Sequence, residues 1–300
     1  MAGRPSKRQQ QYFDEVAGIY ASYADEMTVF GERVIDLLED IQMQLRIKIL
    51  SISDTDWLAL NLTNISEQID VAMVAFVNQY NQLMAESLDV SGNAGVNVLV
   101  TPLRNTLDVS LMAFEPSIFA PIIFDPAFNA QLAISSTLIT NASQQAARNI
   151  LDKIIVGMVS GDTKQSVVDN IVGELGGERL GFKSLNDRAW AIFRTENGRM
   201  NSVATELQMK SALETIPKAR KIWFHSAQFG AGQHPRKGHV QLDGKTVPVN
   251  EQFQNPVTGE LLWYPHDVLA PASEVINCGC AHTLDMPDDA YLRDRTLVNV

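Results

Sequence analysis

An α+β fold is predicted, with long helices through the N-terminal two thirds and a small β-rich or irregular module at the C-terminal end. Three observations predict it. Apolar residues recur at alternating spacings of four and three through the first part of the chain, the period of a helix with one buried seam. That period returns near Pro126 and lasts to about Leu213. Beyond Pro217 it is gone, glycine, proline and aromatic residues take over, and all five histidines and both cysteines fall between 225 and 282.

The elements follow in order. Residues 1–88 are expected to form a long helical hairpin. Its first seam runs through Val16, Tyr20, Tyr23, Met27, Phe30, Val34, Leu37 and Ile41, and its second through Leu58, Leu62, Ile65, Ile69, Ala72, Phe76, Tyr80 and Leu83. Between the seams, "SDTDW" offers Ser53 or Asp54 as a helix cap. Residues 89–128 are expected to be a loop-rich connector, because Gly, Pro and Asn accumulate there, with one short strand at 96–100. Within it, the apolar stretch at 109–124 is broken by Glu115, Pro116 and Pro121 and is expected to lie on a core or a partner. A helical body is expected over 129–217. It includes a short helix capped by Asp162 with Gln165 and stopped at Gly176-Gly177, then a helix from Ser184 to about Leu213. On that last helix Glu196 falls inside the apolar stripe, whereas Arg194, Asn197 and Asn201 point elsewhere. A carboxylate on a buried face needs a partner, so Glu196 is either a buried ion pair or a site residue. Residues 218–300 are expected to be the β-rich module, with a strand at "KIWFHSA" and a hairpin turned at Asp243-Gly244.

Composition limits the function. At 300 residues the chain is long for one core, and two or three structural units are expected. A net charge of −11 argues against a protein that coats nucleic acid, which needs a cationic face. The short basic cluster "KARK" at 218–221 is expected to be solvated surface. Two cysteines make no disulfide framework, and the opening residues lack the apolar core of a secretory signal, so synthesis in a reducing cytoplasm is expected. No apolar run is long enough to span a bilayer.

The cysteines stand one residue apart, at Cys278 and Cys280, with His282 beyond. On an extended strand these three side chains share a face. A disulfide between the cysteines would close a strained ring. Two thiolates with imidazoles suit a tetrahedral zinc ion, and His239 and His282 are then the expected third and fourth ligands. Paired CxxC elements, the stronger zinc signature, are absent, so ordinary buried thiols and redox or catalytic thiols remain alternatives. A metal would suit a small loop-rich module that buries little apolar area.

Three stretches, "FRTENGRMNSVATE", "KIWFHSAQFGAGQHPRKGHVQLDGKTVPVNEQF" and "YPHDVLAPASEVINCGC", together resemble the C-terminal domain of the phage Mu F-like minor head proteins, also described as phage head morphogenesis proteins. The matching residues are Arg194-Thr195-Glu196, Trp223, Arg236, His239, Leu242-Asp243-Gly244, Phe253, Asp267 and Asn277-Cys278-Gly279-Cys280. The resemblance covers roughly the last third of the chain. It departs at Gly279, where the family usually has arginine, and at Gln228, where it has aspartate; both departures weigh more against a catalytic role than a structural one. The resemblance implies a minor capsid protein inside the head of a tailed bacteriophage, near the portal, made in the host cytoplasm and acting in head morphogenesis or genome delivery. Its partners would be the portal protein, other head proteins and copies of itself, with packaged DNA nearby but not read by sequence. Arg194, Glu196, Trp223, Arg236, Asp243, Gly244 and Asn277 would then serve architecture.

The alternative is an enzyme carried in the virion, a metal-dependent hydrolase acting on nucleic acid or peptidoglycan. The sequence holds no nucleophile elbow, P-loop, HExxH or framed pair of carboxylates. A membrane-active ejection protein using 109–124 is a third reading, against which the prolines argue.

Overall fold

The computed structural model describes residues 6–58, 62–106, 125–176, 184–213, 216, 218–225 and 235–285. The stretch 109–124, Gln228 and His234 lie outside the described residues. Among those described, helices α1 (Lys7–Ser51), α2 (Asp54–Leu58), α3 (Leu62–Thr106), α4 (Asp125–Ser160), α5 (Lys164–Gly176) and α6 (Leu185–Ala212) come first. Strand β1 (Arg220–His225), the short helix α7 (Lys237–Leu242), β2 (Thr246–Pro248), β3 (Phe253–Gln254), β4 (Leu261–Leu262), α8 (Ala272–Val275) and β5 (Cys280–Asp285) follow. The α+β class is as expected.

The chain divides into two compact units that are not contiguous in sequence, unlike the four successive parts expected. One unit comprises Met1–Glu26, Leu88–Asn129 and Thr195–Val300; the other comprises Met27–Ser87 and Ala130–Arg194. The second unit is helical. Val34, Leu38, Ile41, Leu45 and Ile49 are buried on α1, with Ile65, Ile69, Ala72, Phe76, Tyr80 and Leu83 on α3. From Ile65 to Leu83 the α3 seam is the one expected, but Leu58, expected on the same helix, ends the separate α2; on α1 the seam passes through Leu38 in place of Leu37, which is half-buried. Arg33 pairs with Glu86 at 2.8 Å, and Leu45, Ile49, Ile65 and Ile69 line one space, the register of antiparallel helices. Gly31 lets α1 close on Trp190, whose ring would stand 2.3 Å from a Cβ there. The N-cap of α5 is Thr163, not Asp162: its Oγ1 accepts from the Ser166 N–H at 3.2 Å.

The first unit holds the small strand-containing C-terminal module, and its core joins those strands to the long helices. Tyr12, Val16 and Tyr20 of α1, Val98, Leu99 and Leu103 of α3 and Met209 of α6 form one cluster with Val249, Ala281 and Leu284. Tyr20 also donates its hydroxyl proton to the His282 carbonyl at 2.8 Å. Ser6 and Gln9 open α1 as a reciprocal capping box, a signal hidden in the sequence by the basic residues around it. The expected connector is corrected here, since 89–106 is helix and 96–100 holds no strand. Ser91 and Gly95 in this stretch lie on the face α3 turns to α6, whereas Asn93 and Asn97 are exposed. Ser91 donates to Asn197 at 2.8 Å, Asn201 to the Ser91 carbonyl at 3.2 Å and Thr205 to the Gly95 carbonyl at 3.0 Å. A Cβ at Gly95 would stand 2.3 Å from the Asn201 carbonyl oxygen. Small residues permit that approach, and the polar ones satisfy each other once water is excluded.

Strand β1 is central in a three-stranded antiparallel sheet of order β2-β1-β5, and β3 pairs with β4 separately. The register sets Trp223 opposite His282 and His225 opposite Cys280. The hairpin expected at Asp243-Gly244 is corrected too. Residues 237–242 are helical, and the turn links α7 to β2, which pairs with β1. Asp243 Oδ1 accepts from the His225 N–H at 2.8 Å and Gly244, at φ 70°, donates to the Trp223 carbonyl at 2.8 Å. Only a residue tolerant of the left-handed region suits that position.

Candidate metal centre

Three side chains converge inside the first unit. His239 sits on α7, Cys278 on the turn after α8, and Cys280 opens β5. Cys278 Sγ lies 3.4 Å and Cys280 Sγ 3.5 Å from His239 Nδ1. The three donor atoms lie within 4.8 Å of one another and are buried, a group that can hold a metal ion. The Cys280 N–H also points to Cys278 Sγ at 3.4 Å, a dipole that favours the thiolate.

Local backbone chemistry explains the convergence. Asn277 takes the left-handed conformation at φ 53° and turns the chain between α8 and the cysteines, while Thr195 Oγ1 accepts its N–H at 3.1 Å. Arg236 fastens the other side, donating to the Ser273 carbonyl and, at 2.6 Å, to the Ile276 carbonyl. Trp223 is fully buried beneath, edge-on to His239 with ring centroids 5.4 Å apart and also edge-on to Phe253. Among the described residues its Nε1 has no hydrogen-bond partner, and the indole packs in one cluster with Cys278 and Cys280.

The electrostatics are those of a shared charge. A hydrogen bond from Cys280 is the largest influence holding the Cys278 thiol well below its ordinary pKa, against burial, with His266 and His239 adding to it. The same bond and burial push Cys280 up. Burial pushes His239 down, but its bonds to Cys278 and Glu274 outweigh that and leave it raised.

The expected fourth ligand is corrected. His282 shares the strand face of Cys280 but is not in the group. Its Nε2 stands 3.4 Å from Glu206 Oε2, a close approach without a hydrogen bond, and its ring stacks on Tyr264. Its ring is taken up by Glu206 and Tyr264 instead of the sulfurs.

Glu196 is buried and paired, its two oxygens 3.1 and 2.8 Å from Arg199 Nη1, so the ion-pair reading holds for it. Burial raises its carboxyl above the ordinary value, with Arg199 opposing. Asn197 and Asn201 are buried as well, contrary to expectation, because α6 is covered on several sides. Arg194 is half-buried and belongs to the other unit. Asp267 accepts from the Trp263 and Leu269 N–H groups at 2.8 and 2.9 Å and so shapes the loop before α8.

Sequence reasoning missed three partners. Glu274 holds His239 Nε2 at 2.7 Å; a lone carboxylate four residues before Cys278 was the available signal. His266, at φ 61°, approaches the Cys278 carbonyl at 2.7 Å through Nε2, and Gly198 leaves room for its ring. Lys221, placed in a solvated cluster from sequence, is wholly buried. It donates to Glu206 at 3.0 and 3.2 Å and to the Trp263 carbonyl at 2.7 Å. Strand alternation already set Lys221 on the face of Trp223.

No family model and no solved structure matches the chain. The chain is similar to the NAD(+)--arginine ADP-ribosyltransferase EFV of Enterococcus faecalis, 31% identical over 144 residues that make up 48% of this chain and 26% of that protein. It is also similar to the uncharacterized protein YqbB of Bacillus subtilis, 32% identical over 94 residues, 29% of this chain and 30% of that one. The matches thus span less than a third of either curated relative.

Proposed function

We propose that this is a structural protein, a minor head protein of a tailed bacteriophage, whose C-terminal residues are locked by a structural zinc ion. One observation carries the zinc. Metal–sulfur and metal–nitrogen bonds of about 2.3 and 2.0 Å at a tetrahedral angle put their ends roughly 3.5 Å apart. The two sulfur–nitrogen separations are 3.4 and 3.5 Å. Thiolate and imidazole donors select zinc over harder ions, and donors this buried suit architecture better than turnover. The head-protein reading is supported by the ordered residue resemblance, by a site whose neighbours Trp223, Arg236 and Asn277 all serve geometry, and by helices offering apolar side chains to partners. Val71 and Val74, each 59% exposed, line an open groove with Leu62 and Leu151 on the helical unit. Portal and head proteins, and further copies of the chain, are the partners this reading assigns. Among the described residues no helix is long and apolar enough to cross a membrane. The activity in the name of the Enterococcus relative is not carried over, because the shared residues make up 26% of that protein.

One arrangement favours a second reading, an enzyme. Cys278, His239 and Glu274 stand in the order nucleophile, base and orienting carboxylate. Convergence of a second sulfur on the same nitrogen, with Cys278 and Cys280 each only 6% exposed, favours the metal. Metal analysis of the purified chain tests this: one zinc per chain is expected, and chelation should lower the melting temperature. A chain without metal whose melting ignores chelators overturns the zinc. A chelated protein that keeps its fold while losing a hydrolytic activity supports the enzyme. Particles made with Cys278→Ser and Cys280→Ser together should lack this protein; normal assembly and infection would count against the head-protein reading.

A further inference from the structure

We infer that Glu274 is the positioning residue of this centre, and that the loop joining β3 to β4 is built to hold it. The inference rests on the reading that His239, Cys278 and Cys280 hold a metal. An imidazole ligand must present a lone pair from one nitrogen, and the partner of the other nitrogen decides which. Here Nδ1 is aimed at both sulfurs, while Nε2 lies 2.7 Å from Glu274 Oε2. A carboxylate accepts and cannot donate, so the ring proton stays on Nε2 and the lone pair on Nδ1 faces the sulfurs.

Glu274 is itself held at both oxygens. Asn255 Nδ2 donates to Oε2 at 3.0 Å and Thr258 Oγ1 donates to Oε1 at 2.9 Å. The other end of the Asn255 amide accepts from the Val257 and Thr258 N–H groups at 2.9 and 3.3 Å, which ties the carboxylate's clamp into the turn. Gly238, next to His239, makes the approach possible: a Cβ there would stand 1.9 Å from Asn255 Oδ1. Two separate elements, α7 and the β3–β4 loop, thus converge on one side chain of α8 that lies outside the three-donor group. A carboxylate buried merely to neutralise His239 would need no such clamp.

The test is Glu274→Gln in the full chain, read by zinc affinity in competition with a chromophoric chelator and by the absorption of the cobalt(II)-loaded protein. Glutamine keeps the shape but offers an amide where the carboxylate stood. Affinity should fall about 10- to 100-fold while the far-UV circular dichroism is kept, and the thiolate-to-cobalt band should move. Thr258→Val, which leaves the His239 contact in place and releases one carboxylate oxygen, should weaken zinc binding by a smaller factor; it carries the test alone if Glu274→Gln fails to fold. Wild-type protein that binds no metal overturns the metal reading and this inference with it. Wild-type protein that binds zinc while the variants bind equally tightly, with unmoved cobalt spectra, overturns the role of Glu274 only.

Discussion

Replacing Lys221 by methionine tests the least expected feature of the fold. The ammonium is wholly buried and donates to both oxygens of Glu206, at 3.0 and 3.2 Å, and to the Trp263 carbonyl at 2.7 Å. Burial pulls the Lys221 amine down, and Glu206 opposes it. Burial likewise pushes Glu206 up, but His282 and Lys221 outweigh it and leave the carboxyl below its ordinary value. Methionine matches the length and packs as well, so the change isolates the charge. Breaking a buried pair while leaving one ion behind costs about 3–5 kcal/mol. Glu206 keeps Lys210 at 3.5 Å, but that side chain is 48% exposed and solvated, so the expected loss is at the lower end, about 3 kcal/mol. Glu206→Gln should cost a similar amount, because it strands the ammonium. The double variant buries neither charge and should lose less than the sum by at least about 1.5 kcal/mol. Urea unfolding at neutral pH, followed by circular dichroism, measures all three. Single losses under about 1 kcal/mol, or strict additivity, would refute the argument that these charges depend on each other.

Glu196 gives a pH test. Its carboxyl is raised in the folded state, chiefly by burial, so its contribution is fully present below the ordinary value of 4.5 and lost as pH rises through the folded value. Glutamine cannot titrate, so the stability of Glu196→Gln relative to wild type should improve between about pH 4 and pH 7; urea midpoints that move in parallel would contradict it. Two glycines of the long helices should respond oppositely in thermal melts. Gly18→Ala meets nothing within 4 Å and should stabilise by about 0.5–1 kcal/mol. Gly95→Ala drives its Cβ to 2.3 Å from the Asn201 carbonyl oxygen and should destabilise by about 1–3 kcal/mol.

Local periodicity was enough to announce the helices, because a seam repeating every three or four residues is a property of neighbours along the chain. The seam of α3 from Ile65 to Leu83, the start of α6 at Ser184 and the strand at Trp223 were all legible. So was the grouping of His239 with Cys278 and Cys280, since few side chains suit a thiolate and all of them lay in one stretch. Tertiary structure decided the rest. Ser91 and Gly95 look like part of a loop until α6 covers them, because whether a small residue breaks a helix depends on what packs there. His282 and Cys280 share a strand face, yet Glu206 and Tyr264, both distant in sequence, place the imidazole elsewhere. Lys221 and Glu274 are ordinary surface residues by composition. Burial gave each a partner 15 and 35 residues away, and a buried charge is held by what lies across the core from it, which no window of sequence contains.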